Sequence, residues 1–205
     1  VVEEGYPVGQ FFMLKCNGID ENGKFIMEDV NKDGQISDDD RTYVGDSQPD
    51  LTFGWNNTFT WKNWDASFFL RGQIGGKLLN NPRAAYANNT YLIGTNALDD
   101  ELTYTMKESS RVCSYYLENG SFIRLDNLAL GYTFDTKKIN WLDKARLYFA
   151  AQNLFVITGY KGLDPEVELF RGESSDTDAG LSPGIEPRQF FPKARTFTLG
   201  VNLTF

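Results

Sequence analysis

The stretch "LTFGWNNTFTWKNWDASFFLRGQI", Leu51 to Ile74, decides how this chain is read. Leu51, Phe53, Trp55, Phe59 and Trp61 are apolar on alternate residues, with Asn57 the exception, while Thr52, Gly54, Asn56, Thr58 and Thr60 fill the other positions. Period-two alternation of this kind marks a β-strand with one greasy face and one wet face. Lys62-Asn63 then has the length of a tight hairpin turn. After it Trp64, Ala66, Phe68, Leu70 and Ile74 oppose Asp65, Ser67, Arg71 and Gln73. The stretch therefore predicts a long β-hairpin.

Three more stretches repeat the pattern. In 122–134, Leu128, Leu130, Tyr132 and Phe134 alternate with Asn127, Ala129, Gly131 and Thr133, although Arg124 and Asp126 interrupt the apolar face. In 145–157, Leu147, Phe149, Ala151, Phe155 and Ile157 oppose Arg146, Tyr148 and Gln152, with Asn153 out of phase. In 196–205, Phe197, Leu199, Val201, Leu203 and Phe205 alternate with small or polar residues. Each run is about ten residues or more, the length a tilted strand needs to cross a hydrocarbon layer. Ordinary globular strands have about five or six.

The connections alternate strictly between long (18–49, 75–121, 158–192) and short (62–63, 135–144). That is the layout of an outer-membrane barrel, with brief turns at one rim and extended loops at the other. Trp61, Trp64, Phe134 and Phe205 all fall at the short-turn end, where an interfacial aromatic girdle is expected. A soluble antiparallel sandwich also explains the alternation, but neither the strand length nor the clustering of rings. Five strands cannot close a barrel without leaving unpaired edges in lipid. The expected fold is accordingly all-β, the C-terminal strands of a large antiparallel transmembrane β-barrel with long extracellular loops. Residues 1–205 make one partial barrel unit.

Composition agrees with this reading. Sixteen Phe and ten Tyr among 205 residues are an aromatic excess that must face something. No run of about eighteen apolar residues occurs, so no transmembrane helix is expected. The net charge of −8, with scattered Lys and Arg, argues against a nucleic-acid partner. The absence of histidine excludes imidazole bases and His metal sites, and no acid–base carboxylate pair can be assigned, so the chain is not read as an enzyme. Cys16 and Cys113 form no CxxC pair, and a disulfide between them stays open.

One further motif stands out. In "DVNKDGQISDDD", Asp29, Asn31, Asp33 and Asp40 hold positions one, three, five and twelve of an EF-hand-like loop, 29–40, with Gly34 at six. Gln35 would offer its carbonyl and Ser37 a water or its hydroxyl. Hard oxygens wrapped at this spacing are the chemistry of Ca²⁺. Asp40 replaces the usual bidentate glutamate, the flanks lack helical periodicity, and a dockerin would need a second copy. The expected role of the ion is structural, ordering a long loop, and the bland alternative is an acidic surface turn.

With these residues in view, the chain resembles the C-terminal region of the SusC/RagA family of TonB-linked outer-membrane proteins. The matching text is "GYPVGQFF", "NGI", "DVNKDGQISDDDRTYVGDSQPDLTFGW", "SFIRLDNLALGYTF", "LYFAAQNLFVITGYKGLDPEV" and "FTLGVNLTF". A last strand ending on an aromatic residue also resembles outer-membrane barrels. The resemblance implies a barrel of about twenty-two strands in outer-membrane lipid, plugged by an N-terminal domain and energised by TonB through that region. It also implies a SusD-like surface lipoprotein that captures glycan or peptide nutrients. Arg71, Arg146 and Gln152 are then expected to face the lumen. Tyr86, Tyr91, Tyr104, Tyr115, Tyr116, Phe190 and Phe191 lie in the long loops, read first as loop packing and second as rings for sugars or for the lipoprotein lid. A reading from another class is a secreted, calcium-stabilised β-module that binds carbohydrate.

Overall fold

The computed structural model describes residues 3–88, 94, 96–107, 111–167, 183–188 and 191–205. In chain order the strands are β1 (Gln10–Leu14), β2 (Cys16–Ile19), β3 (Phe25–Met27), β4 (Arg41–Asp46), β5 (Pro49–Trp61), β6 (Trp64–Gly75) and β7 (Lys77–Leu79). Two short helices, α1 (Asn81–Tyr86) and α2 (Glu101–Thr105), precede β8 (Leu117–Asn119), β9 (Phe122–Phe134), β10 (Lys144–Thr158) and β11 (Thr196–Thr204). The chain divides into two compact units, one of Leu51–Ile74, Phe122–Thr158 and Pro192–Phe205, the other of Val1–Asp50, Gly75–Ser121 and Gly159–Phe191.

The first unit is a five-stranded sheet in the order β11-β10-β9-β6-β5. Every neighbour is also the next long strand along the chain, an up-and-down order that leaves the sheet open at β5 and β11. Lys62, at φ 53°, makes the two-residue turn between β5 and β6. Across four strands the register sets Trp64, Tyr132, Leu147 and Val201 in one row; Ala66, Leu130, Phe149 and Leu199 form the next, and Phe68, Leu128, Ala151 and Phe197 a third. Cross-strand rows of this kind hold a sheet by side-chain contact as well as by its hydrogen-bond ladder.

These apolar rows are largely open to the outside of the sheet, although Ala151 is buried among its neighbours. Leu199 is 73% exposed and Phe197 60%, and Trp55 and Leu130 are exposed too. Among the described residues of this unit no second sheet packs on this face, as a sandwich would require. Rings instead meet one another along it: Trp55 and Phe68 edge to face at 5.2 Å, and Phe149 and Phe197 stacked at 6.2 Å.

Two irregularities explain the residues that break the alternation. The β6–β9 register shifts between Phe69 and Leu70, and the β10–β9 register shifts between Gln152 and Phe155, where Asn153 sits at φ 53°. Such bulges add a residue to one strand and reset which face its side chains take. Asn127 pairs with Phe69 but Leu125 pairs with Leu70, so Leu125 and Ile123 return to the apolar face and Arg124 and Asp126 turn to the polar one. The charges at 124 and 126 are therefore consistent with the wall.

The second unit has its own core, which connection length alone did not foretell. Here β1 pairs with β4, β2 with β3 and β7 with β8. Phe11, Leu14, Leu79, Leu102, Met106 and Tyr116 are buried together, with Phe25 packed on them. Asn80 caps α1 by accepting from the Arg83 N–H at 3.0 Å, and Asp100 caps α2 by accepting from the Leu102 N–H at 2.9 Å.

Candidate functional site

The polar face of the five-stranded sheet carries a chain of charges placed by the same register. Asp65, Gly131, Tyr148 and Gly200 form one row. Arg146, two residues before Tyr148 on the same face, reaches across to Asp65 with its Nε 2.9 Å from Oδ1 and its guanidinium 5.3 Å from the Tyr148 ring centroid. Glycine at 131 is what permits this, since a Cβ there would lie 2.6 Å from both Arg146 Nε and Asp65 Oδ1. Farther along the face Arg71 grips Asp126 through Nε at 3.0 Å and Nη2 at 3.4 Å. Arg124 is almost fully buried and donates to Asn153 Oδ1, while Asn153 Nδ2 donates to the Lys193 carbonyl at 2.6 Å. Bidentate Arg–carboxylate pairs of this geometry hold their orientation better than single contacts. Arg71, Arg146 and Gln152 thus share the polar face, as their alternation required.

At the short-turn end three of the expected rings, Trp64, Phe134 and Phe205, meet other aromatics, two of which, Tyr132 and Trp141, the girdle expectation did not include. Trp64 meets Tyr132 at 4.8 Å, and Tyr132 meets Phe134 at 4.9 Å. Trp141, in the connection between β9 and β10, stacks on Phe205 at 5.7 Å with ring planes 12° apart. It falls outside any alternating run, so the usable signal was its place in a short connection.

The acidic loop folds around Gly34 at φ 83°. Asp29 accepts from the Lys32 N–H at 2.7 Å and the Gly34 N–H at 2.9 Å, and Asp33 accepts from the Gln35 N–H at 2.7 Å. Asn31 Oδ1 accepts from the Asp33 N–H at 2.9 Å, and its amide donates to the Asp33 carboxylate at 3.0 Å. Ser37 caps a single helical turn, Asp38–Asp40, by accepting from the Asp39 N–H. Asp40 has no exposed surface and accepts from the Val30 N–H at 2.9 Å and the Ser37 N–H at 2.8 Å, closing both ends of the loop. The Ser37 N–H first, then those of Asn31 and Val30, hold the Asp40 carboxyl below its ordinary value. Among the described residues no three Asp, Glu or Cys side chains already converge as a ligand group.

A cleft of about 280 Å³ in the same unit is lined by Asn80, Arg83, Tyr86, Asp100, Lys161 and Arg188 among others. Arg83 is nearly buried, with Nε 2.8 Å from Asp100 and Nη1 3.5 Å from Glu118. Burial works against ionisation of Asp100, but the hydrogen bonds from Arg83 and the Leu102 N–H, with the charges of Arg83 and Lys161, together outweigh it and its carboxyl lies below the ordinary value. Nearby, Glu186 is fully buried, accepting from Tyr160 Oη at 2.6 Å and the Leu163 N–H at 2.9 Å. Burial raises the Glu186 carboxyl despite those donors, and burial followed by the carboxylate raises the Tyr160 phenol.

Of the loop rings, Tyr116 is buried and Tyr115 partly so, both against Phe25, and Tyr86 is half-buried. Tyr104 and Phe191 are exposed. Tyr91 and Phe190 lie outside the described residues.

An up-and-down sheet of long strands, largely open and apolar on one side, charged on the other and ringed with aromatics at its short turns, is a section of a transmembrane β-barrel wall. Comparison with known proteins gives the particular kind. No family model matches the chain. TonB-dependent receptor P3 of Formosa agariphila is 32% identical over 235 aligned residues, covering 100% of this chain and 23% of that protein. TonB-dependent receptor SusC of Bacteroides thetaiotaomicron is 29% identical over 218, covering 98% and 20%. The solved structure of the RagAB peptide transporter matches with a TM-score of 0.71 at 25% identity, covering 96% of this chain and 22% of that one. The chain is a SusC/RagA-like segment of a TonB-dependent receptor, and it spans between a fifth and a quarter of the length of these relatives. The relatives named are receptors and transporters, not enzymes.

Proposed function

We propose that this chain forms part of the wall of an outer-membrane importer that takes up glycan or peptide nutrients. It works with a SusD-like surface lipoprotein and is energised by TonB through a region outside these residues. The long connections face the outside of the cell. The observation that carries the reading is the largely open apolar face: Trp55, Leu130, Leu199 and their row neighbours would cost a water-soluble module heavily, whereas lipid accepts them. No described helix is long and apolar enough to cross a membrane. The test is fractionation of the native protein. It should remain in the outer-membrane pellet after a salt wash and change gel mobility on boiling, and release by salt would refute the reading. A secreted calcium-stabilised module would be released.

We also propose that the 29–40 loop binds Ca²⁺ as a structural ion. The donor set of Asp29, Asn31, Asp33, the Gln35 carbonyl, Ser37 and Asp40 is all hard oxygen, and the turn at Gly34 supports the wrapping such a loop needs. Asp40 already holds the loop ends, so ion binding would draw Asp29 and Asp33 together around them. Adding Ca²⁺ should raise the thermal midpoint of the wild type and leave Asp29→Ala unchanged. Equal melting of the wild type with Ca²⁺ and with chelator removes the metal.

A further inference from the structure

The two cysteines of the chain meet. Cys113 has no exposed surface and belongs to the core of the second unit, against which Cys16 packs. A hydrogen bond ties the two segments at the same point: the Cys16 N–H donates to the side-chain hydroxyl of Ser114, the next residue after Cys113, at 2.8 Å. After burial, the neighbouring Cys16 side chain is among the groups that raise the Cys113 thiol. The Cys16 thiol in turn donates to the Gly18 carbonyl, 3.2 Å away. Both are free thiols in this structure, and Cys16 is the more accessible.

We propose that Cys16 and Cys113 form an intramolecular disulfide that fastens the β2–β3 hairpin to the turn before β8, closing a loop of about 100 residues. It is a modification site, and it rests on the outer-membrane reading only for its oxidant, a protein disulfide of the thiol–disulfide oxidoreductase class. The accessible Cys16 gives its proton to solvent and its thiolate attacks one sulfur of that disulfide, expelling the other as a thiolate. Cys113 then loses its proton and attacks the Cys16 sulfur. The mixed disulfide breaks, the Cys16–Cys113 bond forms, and the oxidant departs with both sulfurs reduced and protonated. Two thiols of this chain are oxidised and one external disulfide is reduced.

The order of attack follows from position. Burial first, opposed by the Tyr115 N–H and reinforced by the neighbouring Cys16 sulfur, pushes the Cys113 thiol up to about 12. A thiol so held is a poor first nucleophile for an external reagent. It needs only a partner delivered to it, which the contact with Cys16 supplies.

The test takes the reduced, detergent-purified protein and exposes it to oxidised glutathione, then traps remaining thiols and maps the peptides. Wild type should give a peptide pair linked through Cys16 and Cys113, with no glutathione left on Cys16. Cys113→Ser, which lacks the resolving sulfur, should keep glutathione on Cys16. A wild type that retains the glutathione adduct on Cys16, or that leaves both cysteines as trapped thiols, overturns the proposal, as does a Cys113→Ser variant without the adduct. The readout is independent of where the protein resides in the cell, so its failure is distinct from failure of the fractionation test.

Discussion

Replacing Leu130 by arginine probes the wall directly. Leu130 lies on the central strand β9 in a row with Ala66 and Phe149, four residues from Phe134 in the aromatic end. At about 3.3 Å per residue and a tilt of about 40°, that places it roughly 10 Å inside the girdle. An apolar band is about 25 Å tall, so Leu130 sits near its middle, where an arginine costs about 2–4 kcal/mol. At about 1.4 kcal/mol per tenfold, the folded population should fall roughly 30- to 900-fold relative to unfolded. The control is the adjacent Ala129→Arg. Ala129 stands on the polar face between Ser67 and Ala150, where a long side chain has small neighbours and water. Urea unfolding in lipid vesicles, followed by tryptophan fluorescence and heat-modified gel mobility, should show a large loss for Leu130→Arg and a small one for Ala129→Arg. On a water-facing surface both changes would stay within about 0.5 kcal/mol. Equal, small effects at the two positions would refute the assignment of faces.

Three smaller tests follow from the same geometry. Gly131→Val should push Arg146 off Asp65 and lower stability by about 1 kcal/mol, the scale of a partly exposed pair, and urea midpoints should show that Arg146→Leu adds little to it. Trp141→Ala removes the stack on Phe205, a contribution of about 0.5–1.5 kcal/mol beyond burial, and should lower the unfolding midpoint more than the same change at the exposed loop residue Tyr104. Glu186 has a raised carboxyl, so the folded state holds its proton more tightly than the unfolded chain. Its contribution is full below the ordinary glutamate value of about 4.3 and is lost as pH rises through the folded value. Limited proteolysis across that window should show the wild type losing protection relative to Glu186→Gln as pH rises, and parallel profiles would count against the assignment.

How much of this was legible beforehand depends on the range of the forces involved. Alternation is a local signal, because successive side chains of a strand must point to opposite faces. The five long strands, their order of long and short connections, and the placement of Arg71, Arg146 and Gln152 therefore came from the residues alone. The residues that broke the pattern, Arg124, Asp126 and Asn153, could only be assigned once the bulges were seen. A bulge is a property of two strands, and a single strand does not announce which partner it slips against. The loop core of Phe11, Leu102, Met106 and Tyr116 was illegible for a related reason, since its members come from short elements with no sustained period.

By itself the sequence determined that this chain is a ribbon of long amphipathic strands with its rings gathered at the short turns, because strand periodicity and chain connectivity are written residue by residue. Tertiary structure alone decided the rest. It set Arg146 across Gly131 onto Asp65, stacked Trp141 on Phe205 and brought Cys16 to Cys113, because each contact joins residues that only register and long-range packing bring within reach.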